Sequence, residues 1–175
     1  AKRPLIISGG GVHYSGAETA LATFAEKHGI PLCETIAGKG TVTHDHPAHV
    51  GPIGIVGSTS ANALAGEADV VLAVGTRLMD FTTVSWTAYS PDARFVSINA
   101  ARWDANKHRA TAVVGDALED AVEAGLHRQH SLGHDQKPCQ DLQGFRLPSA
   151  DQLAQVLGRH LRMHDRQIGR GAQLR

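Results

Sequence analysis

The chain has 175 residues, 42% of them hydrophobic, and its 17 basic residues are balanced by 17 acidic ones, so charge gives no reason to expect nucleic acid or an anionic membrane as a partner. No run approaches the roughly 18 apolar residues of a membrane span, and Cys33 and Cys139 lack the spacing of a disulfide framework or a zinc site. These features exclude several classes and predict a globular, cytoplasmic protein.

The first third of the chain alternates apolar runs with helix-length segments. Residues 5–7 are uninterrupted and apolar, which predicts a strand covered on both faces. The run stops at three glycines, residues 9–11, and a helix is predicted to follow, capped by Ser15 and ended by Gly29. Residues 30–33 then predict a second strand, with its proline at the strand's beginning.

The middle of the chain is interrupted by a stretch rich in glycine and proline. Residues 37–57 are predicted to be a loop that contains one short strand within 50–55. The elements predicted after it are a helix from Ser58 or Thr59 to Ala68, strands at 70–74, 95–98 and 112–114, and a helix at 116–126. This alternation predicts a Rossmann-like, three-layer α/β/α fold with a mainly parallel sheet of about six strands.

The last segment, residues 127–175, differs in composition. It is rich in His and Gln and contains eight basic residues against four acidic ones. One amphipathic helix is predicted at 149–163, and the rest is expected to be partly disordered. Its positive charge leaves open either a solvated tail or an acidic partner.

A glycine cluster follows the first predicted strand and precedes a helix. Backbone amides at such a position can hold a phosphate. The GxGxxG fingerprint needs a glycine at position 14, where Tyr14 stands, so the fingerprint is incomplete. Two interpretations stay open for Gly9, Gly10 and Gly11: a tight turn or a phosphate site.

A second set of polar residues follows the most apolar strand, 70–74. Loops at the carboxyl ends of parallel strands are where α/β proteins bind ligands. Arg77 and Asp80 either serve a ligand or join each other in a salt bridge. With the three glycines, these loop residues are the candidates for a vestigial nucleotide site: Gly75, Thr76, Arg77 and Asp80.

Neither a metal site nor a catalytic group is predicted. One loop contains three imidazoles beside a carboxylate, but without the i, i+4 spacing of a helical zinc site: His44, His46 and His49. No GxSxG motif surrounds the serines that could be nominated as nucleophiles: Ser8, Ser58 and Ser60.

Four segments in order resemble the central domain of thiamine-diphosphate-dependent enzymes such as acetohydroxyacid synthase. They are residues 3–11, residues 38–40 with 46–47, residues 68–77, and residues 114–117. Further segments at 10–16, 25–31 and 80–83 resemble, within that family, the trihydroxycyclohexanedione hydrolases of myo-inositol catabolism. The resemblance covers residues 3–126.

This resemblance implies a central domain at 1–126 and a parent subunit with two more domains. Those flanking pyrimidine- and diphosphate-binding domains would hold thiamine diphosphate and Mg²⁺. The resemblance therefore implies a fragment that is mainly structural, binds no cofactor by itself, is inactive alone and belongs to a homo-oligomer. Gly115-Asp116-Ala117 is expected to end the central domain and not to form the Mg²⁺ signature. No nucleic acid or membrane partner is expected.

The alternative is a free-standing module that binds FAD or NAD. Relatives that hold FAD in this domain use an arginine and an acidic strand end, but Phe81 and Asn99 stand at those places. Charge-based contacts to FAD are therefore not expected. A deacylase that shares this sheet architecture would need two cysteine pairs for zinc, which the chain lacks.

Overall fold

The fold is known from a computed structural model that describes residues 1–119. Its six strands are β1 (Pro4–Ser8), β2 (Leu32–Glu34), β3 (His49–Pro52), β4 (Val70–Val74), β5 (Arg94–Asn99) and β6 (Thr111–Val114). They form one sheet in the order β3-β2-β1-β4-β5-β6, and every pair is parallel. This is the strand order of the Rossmann fold, which confirms the predicted fold class.

The helices cover both faces of this sheet. They are α1 (Gly10–Ser15), α2 (Glu18–His28), α3 (Thr59–Glu67), α4 (Asp80–Thr83) and α5 (Arg102–Ala105). The cap prediction for α3 is confirmed, because the Ser58 side chain accepts a hydrogen bond from the Ala61 amide at 3.1 Å.

The predicted cap at Ser15 is wrong. Ser15 is the last residue of α1, and its hydroxyl donates to the Gly11 carbonyl at 2.9 Å. The residue before α2 is Ala17, which offers no side-chain cap. A hydroxyl bonded back into the preceding turn is not available to cap the next helix.

The second strand begins later than predicted. β2 starts at Leu32, while Pro31 precedes it and only its carbonyl takes part, accepting from the Ile6 amide at 2.9 Å. A proline has no N–H to donate to a ladder, so the regular pairing starts one residue on. The short strand expected within 50–55 is present as β3, shifted to His49–Pro52.

Alternate residues of the strands enter two separate cores. Leu5 and Ile7 of β1 pack with Ala61 and Ala65 of α3 on one face. On the other face, the group is Ile6, Val12, Leu21, Ala25, Leu32, Val74 and Ile98. Continuous apolar strands are what a sheet buried on both faces requires.

Within residues 1–119, no helix combines the length and apolarity that a membrane crossing needs. The helix predicted at 149–163 and most of that at 116–126 lie outside the described residues.

Candidate functional site

The carboxyl edge of the sheet holds a cleft of about 420 Å³. It lies between the loops that follow β1 and β4, with the loop after β2 as a further wall. β1 and β4 are neighbours in the sheet. From β1 the chain continues to β2 on one side of this pair, and from β4 it continues to β5 on the other side, so the direction of strand order reverses between them. The crevice at such a reversal is the usual ligand position in open α/β sheets.

Five of the seven predicted site residues line this cleft: Gly10, Gly11, Gly75, Thr76 and Arg77. Gly9 is outside the lining and packs against Gly75 and Thr76, in the loop after β4. Asp80 begins α4 and is exposed, outside the lining. The sequence therefore predicts where the cleft lies, and the structure brings together residues that are more than sixty positions apart.

The glycines of this region allow backbone to pack directly on backbone. A Cβ on Gly9 would lie 2.4 Å from the Gly75 carbonyl oxygen, and one on Gly11 would lie 2.6 Å from the Gly75 Cα. Gly75 itself has φ +59°, a left-handed conformation that favours glycine. Close approach of the β1 and β4 loops therefore explains these glycines without a ligand.

The amides of the first turn are mostly bonded within the protein. The Gly9 amide donates to the Val74 carbonyl at 2.8 Å, and the Gly11 amide donates to the Gly75 carbonyl at 2.9 Å. The Val12 amide donates back to the Gly9 carbonyl at 3.1 Å. A phosphate needs amides that point into the cleft without a partner, and α1 has only six residues. The geometry supports the tight-turn interpretation of this cluster.

The loop after β4 is tied to the loop after β5. The Asn99 side chain donates to the Thr76 carbonyl at 2.9 Å and accepts from the Ala101 amide at 2.8 Å. Asn99 is only 9% exposed, so its side chain is largely withdrawn from solvent. An amide can bridge a carbonyl and an N–H in this way, whereas a carboxylate could only accept.

Arg77 makes an ion pair that the sequence did not reveal. Its Nε lies 3.6 Å from Asp104 of α5, and the Lys107 ammonium lies 2.7 Å from the same carboxylate. Lys107 also donates to the Arg77 carbonyl at 2.8 Å. The salt bridge considered between Arg77 and Asp80 is therefore wrong, because α5 supplies the partner of the arginine.

The cleft is largely apolar. Among its lining residues Arg77 alone is charged, and 70% of its side chain is exposed. Four large apolar side chains of the lining are exposed to solvent: Tyr14, Ile36, Met79 and Phe81. We call these four residues the apolar rim. Exposed apolar side chains grouped in this way are typical of a surface that contacts another protein part or an apolar ligand.

Two of the loop histidines and all three serines that the sequence analysis set aside are engaged in separate contacts in the structure. His46 faces Glu26 at 3.9 Å, while His49 faces Glu34 at 3.6 Å. In the described part of the chain no three His, Cys, Asp or Glu residues are grouped to hold a metal ion. Ser8 is fully buried and its hydroxyl donates to the Cys33 carbonyl at 3.4 Å. Ser58 and Ser60 bond each other at the start of α3.

A family model and several curated proteins match the α/β part of this chain. The family model for the central domain of thiamine pyrophosphate enzymes matches residues 1–124. A 3D-(3,5/4)-trihydroxycyclohexane-1,2-dione hydrolase from Clostridium perfringens is 45% identical over 117 residues, covering 66% of this chain and 18% of the relative. Hydrolases of the same name from Geobacillus thermodenitrificans and Bacillus velezensis are 47% and 48% identical over 126 and 133 residues. These cover 70% and 75% of this chain and 20% of each relative.

A solved structure supports the same fold. An X-ray structure from Mycobacterium smegmatis, provisionally described as a thiamin diphosphate-dependent enzyme, superposes with a TM-score of 0.57 and 24% identity. The match covers 69% of this chain and 24% of that one. The match in each of these proteins is thus confined to a quarter of its length or less, as expected for one domain among several.

Proposed function

This chain belongs to the thiamine pyrophosphate enzymes through their central domain, and from that premise we propose that it is the central domain of a thiamine-diphosphate-dependent hydrolase. The parent enzyme would cleave a carbon–carbon bond of a cyclic 1,2-dione in myo-inositol catabolism. The observation that carries this proposal is the identity of 45 to 48% with dione hydrolases over 117 to 133 residues.

We assign the chain a structural role within that parent. It spans 18 to 20% of the length of these curated relatives, and the matched part is the α/β unit described above. We propose residues 1–126 as the domain and 127–175 as a separate basic segment, which lies outside the described residues. The catalytic groups would then come from the two flanking domains, and the chain alone would be inactive.

Within residues 1–119, no three His, Cys, Asp or Glu side chains are grouped as a metal site, so this part of the chain does not fit thiamine diphosphate and Mg²⁺. Mg²⁺ in such sites is held by carboxylates together with phosphate oxygens. The one Gly-Asp sequence, at Gly115 and Asp116, uses its carboxylate elsewhere: Asp116 Oδ1 accepts from the Leu118 amide at 2.9 Å. We therefore derive no catalytic step through the cofactor here. The cofactor supplies the carbanion chemistry in enzymes of this family, and we place its binding in the flanking domains.

The alternative of a free-standing FAD or NAD module is less well supported. The relatives matched over most of the chain are hydrolases. The first-turn amides that would hold a phosphate are bonded to protein carbonyls, and the Asn99 side chain is engaged with Thr76 and Ala101. These contacts leave few polar groups for a nucleotide.

The apolar rim is the surface that we propose for contact with the pyrimidine- and diphosphate-binding domains. Tyr14 is the most exposed of the four, with 95% of its surface in solvent. A large aromatic side chain is seldom so exposed unless it contacts another protein part. A homo-oligomeric assembly and a cytoplasmic location complete the proposal.

One experiment tests the domain assignment by exchange. Residues 1–126 would replace the matching segment of the Bacillus velezensis hydrolase, and hydrolysis of the dione would be measured. We expect most of the activity to be retained, because nearly half of the residues are identical. The matched control carries the corresponding segment of the Mycobacterium smegmatis protein and should lose most activity. The proposal would be contradicted by a chimera carrying residues 1–126 that folds and assembles but hydrolyses the dione no faster than the control chimera.

A second experiment tests cofactor binding directly. The full chain would be titrated calorimetrically with thiamine diphosphate plus Mg²⁺, and in parallel with FAD and with NAD. We expect no heat of binding from any of the three. Binding of thiamine diphosphate would overturn the domain assignment, whereas binding of FAD or NAD would favour the nucleotide-binding alternative.

A further inference from the structure

One wall of the cleft is a loop that follows β2. Thr35, Ile36 and Ala37 of this loop line the cleft. The loop is fixed at its start, where the Thr35 amide donates to the Ser8 carbonyl at 2.9 Å. Beyond the lining residues, the Lys39 carbonyl oxygen lies 3.1 Å from Nε2 of His13, a residue of α1. This contact joins the loop to α1, which also contributes Gly10, Gly11 and Tyr14 to the lining of the cleft.

His13 has a hydrogen-bond acceptor opposite each ring nitrogen. Its Nδ1 lies 2.9 Å from a carboxylate oxygen of Glu18, at the start of α2, and its Nε2 faces the Lys39 carbonyl. A carbonyl and a carboxylate can only accept, and a neutral imidazole has a single N–H to donate. Only the protonated ring can make both contacts.

The charges around the ring favour that protonated form. The hydrogen bond to Glu18 is the largest cause that raises the pKa of His13 above its usual range, with a smaller contribution from the Lys39 carbonyl, and partial burial opposes them. The charged groups nearest to this ring are Glu18, in the first turn of α2, and the exposed Lys39 of the loop itself; the other charged residues of α2, Glu26 and Lys27, lie at its far end. Behind the loop, the buried Glu34 accepts from the Gly40 amide at 2.8 Å, and His49 lies 3.6 Å from its other oxygen.

We propose that His13 is a proton-controlled clasp that fixes the wall of the cleft. When protonated, it ties α1 and α2 to the loop through Glu18 and Lys39. When it loses a proton, the neutral ring keeps one N–H and gives up either Glu18 or the Lys39 carbonyl, so the loop between Thr35 and Gly40 is no longer tied to both helices. The clasp therefore couples proton concentration to the shape of the cleft and of the apolar rim beside it. This inference is independent of the reaction that the parent enzyme catalyses.

The direction of the pH dependence follows from linkage. A group with a raised pKa in the folded state stabilises the fold below its unfolded pKa, and this contribution is lost as pH rises through the folded pKa. The clasp is therefore closed at pH values below the raised pKa of His13 and above the lowered pKa of Glu18, and it opens as pH rises through the pKa of His13. A histidine is suited to this task because its charge changes near physiological pH.

The test is a pH titration of the full chain followed by NMR. The His13 ring nitrogens report its protonation, and the Gly38 and Gly40 amides report the loop. We expect the amide shifts to follow the His13 midpoint, and hydrogen-exchange protection of the loop to fall above it. In His13→Gln, which cannot titrate, this transition should be lost. The matched control is His44→Gln, an exposed histidine close to the loop in sequence, which should keep the transition.

A second variant covers the case in which His13→Gln does not fold. Glu18→Gln keeps an acceptor opposite Nδ1 but removes its charge, so the His13 midpoint and the loop transition should move together to lower pH. The proposal would be overturned by loop amides that do not follow the His13 midpoint, or by a midpoint that stays unchanged in Glu18→Gln. A wild-type His13 pKa at or below the usual range would also overturn it.

Discussion

Replacing Gly9 by alanine tests whether the glycine cluster exists for backbone packing. A Cβ at this position would lie 2.4 Å from the Gly75 carbonyl oxygen and 2.6 Å from the Thr76 Cα, closer than real Cβ atoms come to backbone. The backbone of Gly9 is extended, with φ −113° and ψ −178°, so alanine adopts it without conformational strain. The cost is therefore steric, and the loop after β4 must shift at Gly75 and Thr76.

The magnitude follows from the contacts that this shift disturbs. Overpacking costs about 1–3 kcal/mol, and each weakened backbone hydrogen bond adds up to about 1 kcal/mol. Two such bonds cross this junction, from Gly9 to Val74 and from Gly11 to Gly75. Alanine also restricts the unfolded chain, which offsets about 0.4–1 kcal/mol. We expect Gly9→Ala to lower the free energy of unfolding by about 2–3 kcal/mol.

Gly10→Ala is the matched control, one position along the same turn. Its Cβ would meet the Ala37 Cβ at 3.2 Å, a contact that a small movement relieves. Position 10 is the first residue of α1, where alanine is favoured over glycine by up to about 1 kcal/mol. We expect its free energy of unfolding to stay within about 1 kcal/mol of the wild type.

Urea unfolding of the full chain, followed by circular dichroism, measures both variants. A lower midpoint with an unchanged slope identifies a change in stability alone. Equal midpoints for the two variants would refute the packing argument. If Gly9→Ala kept its stability but abolished binding of a phosphate-containing ligand, the glycines would have to be assigned to a phosphate site.

Three further predictions concern other parts of the described chain. Ser85 is exposed and has φ +50°, so Ser85→Gly should remove backbone strain and raise the free energy of unfolding by about 0.5–1 kcal/mol; a lower urea midpoint would contradict this. Asn99→Asp cannot donate to the Thr76 carbonyl and should cost about 1–3 kcal/mol, whereas an unchanged midpoint would show that this bond is dispensable. Burial raises the pKa of the Cys33 thiol to about 12, with a smaller contribution from a neighbouring carboxylate, so in a Cys139→Ser background iodoacetamide at pH 8 should label it only after unfolding; rapid labelling of the folded chain would refute its burial.

Much of the fold was predictable because its signals are local. The apolar runs that predicted strands correspond to strands in the structure, and the run at 70–74 is β4 with the same bounds. The alternation of runs with helix-length segments predicted a parallel sheet, since parallel strands need long crossover connections, which are usually helices. Two boundaries failed: the Ser15 hydroxyl bonds back to the Gly11 carbonyl within its own helix, and Pro31 has no N–H to donate to the strand ladder.

The candidate site was predictable in place but not in detail. Glycines after β1 and polar residues after β4 pointed to one edge, and five of the seven residues line the cleft there. The partners of Arg77 and of His13 were not foreseen. The signal at His13 was available in principle, because Glu18 lies five residues on, but nothing local indicates that the Lys39 carbonyl faces its other nitrogen.

The amino-acid sequence by itself determined the fold class, the approximate positions of the strands and the family resemblance, all of which rest on patterns within short segments. The tertiary structure decided which loops share an edge, and hence that Arg77 pairs with Asp104, that the glycine amides are used within the protein, and that His13 joins two helices to a loop. The physical reason is that hydropathy and propensity act over neighbouring residues, whereas an ion pair or a close backbone contact depends on the order of strands in the sheet.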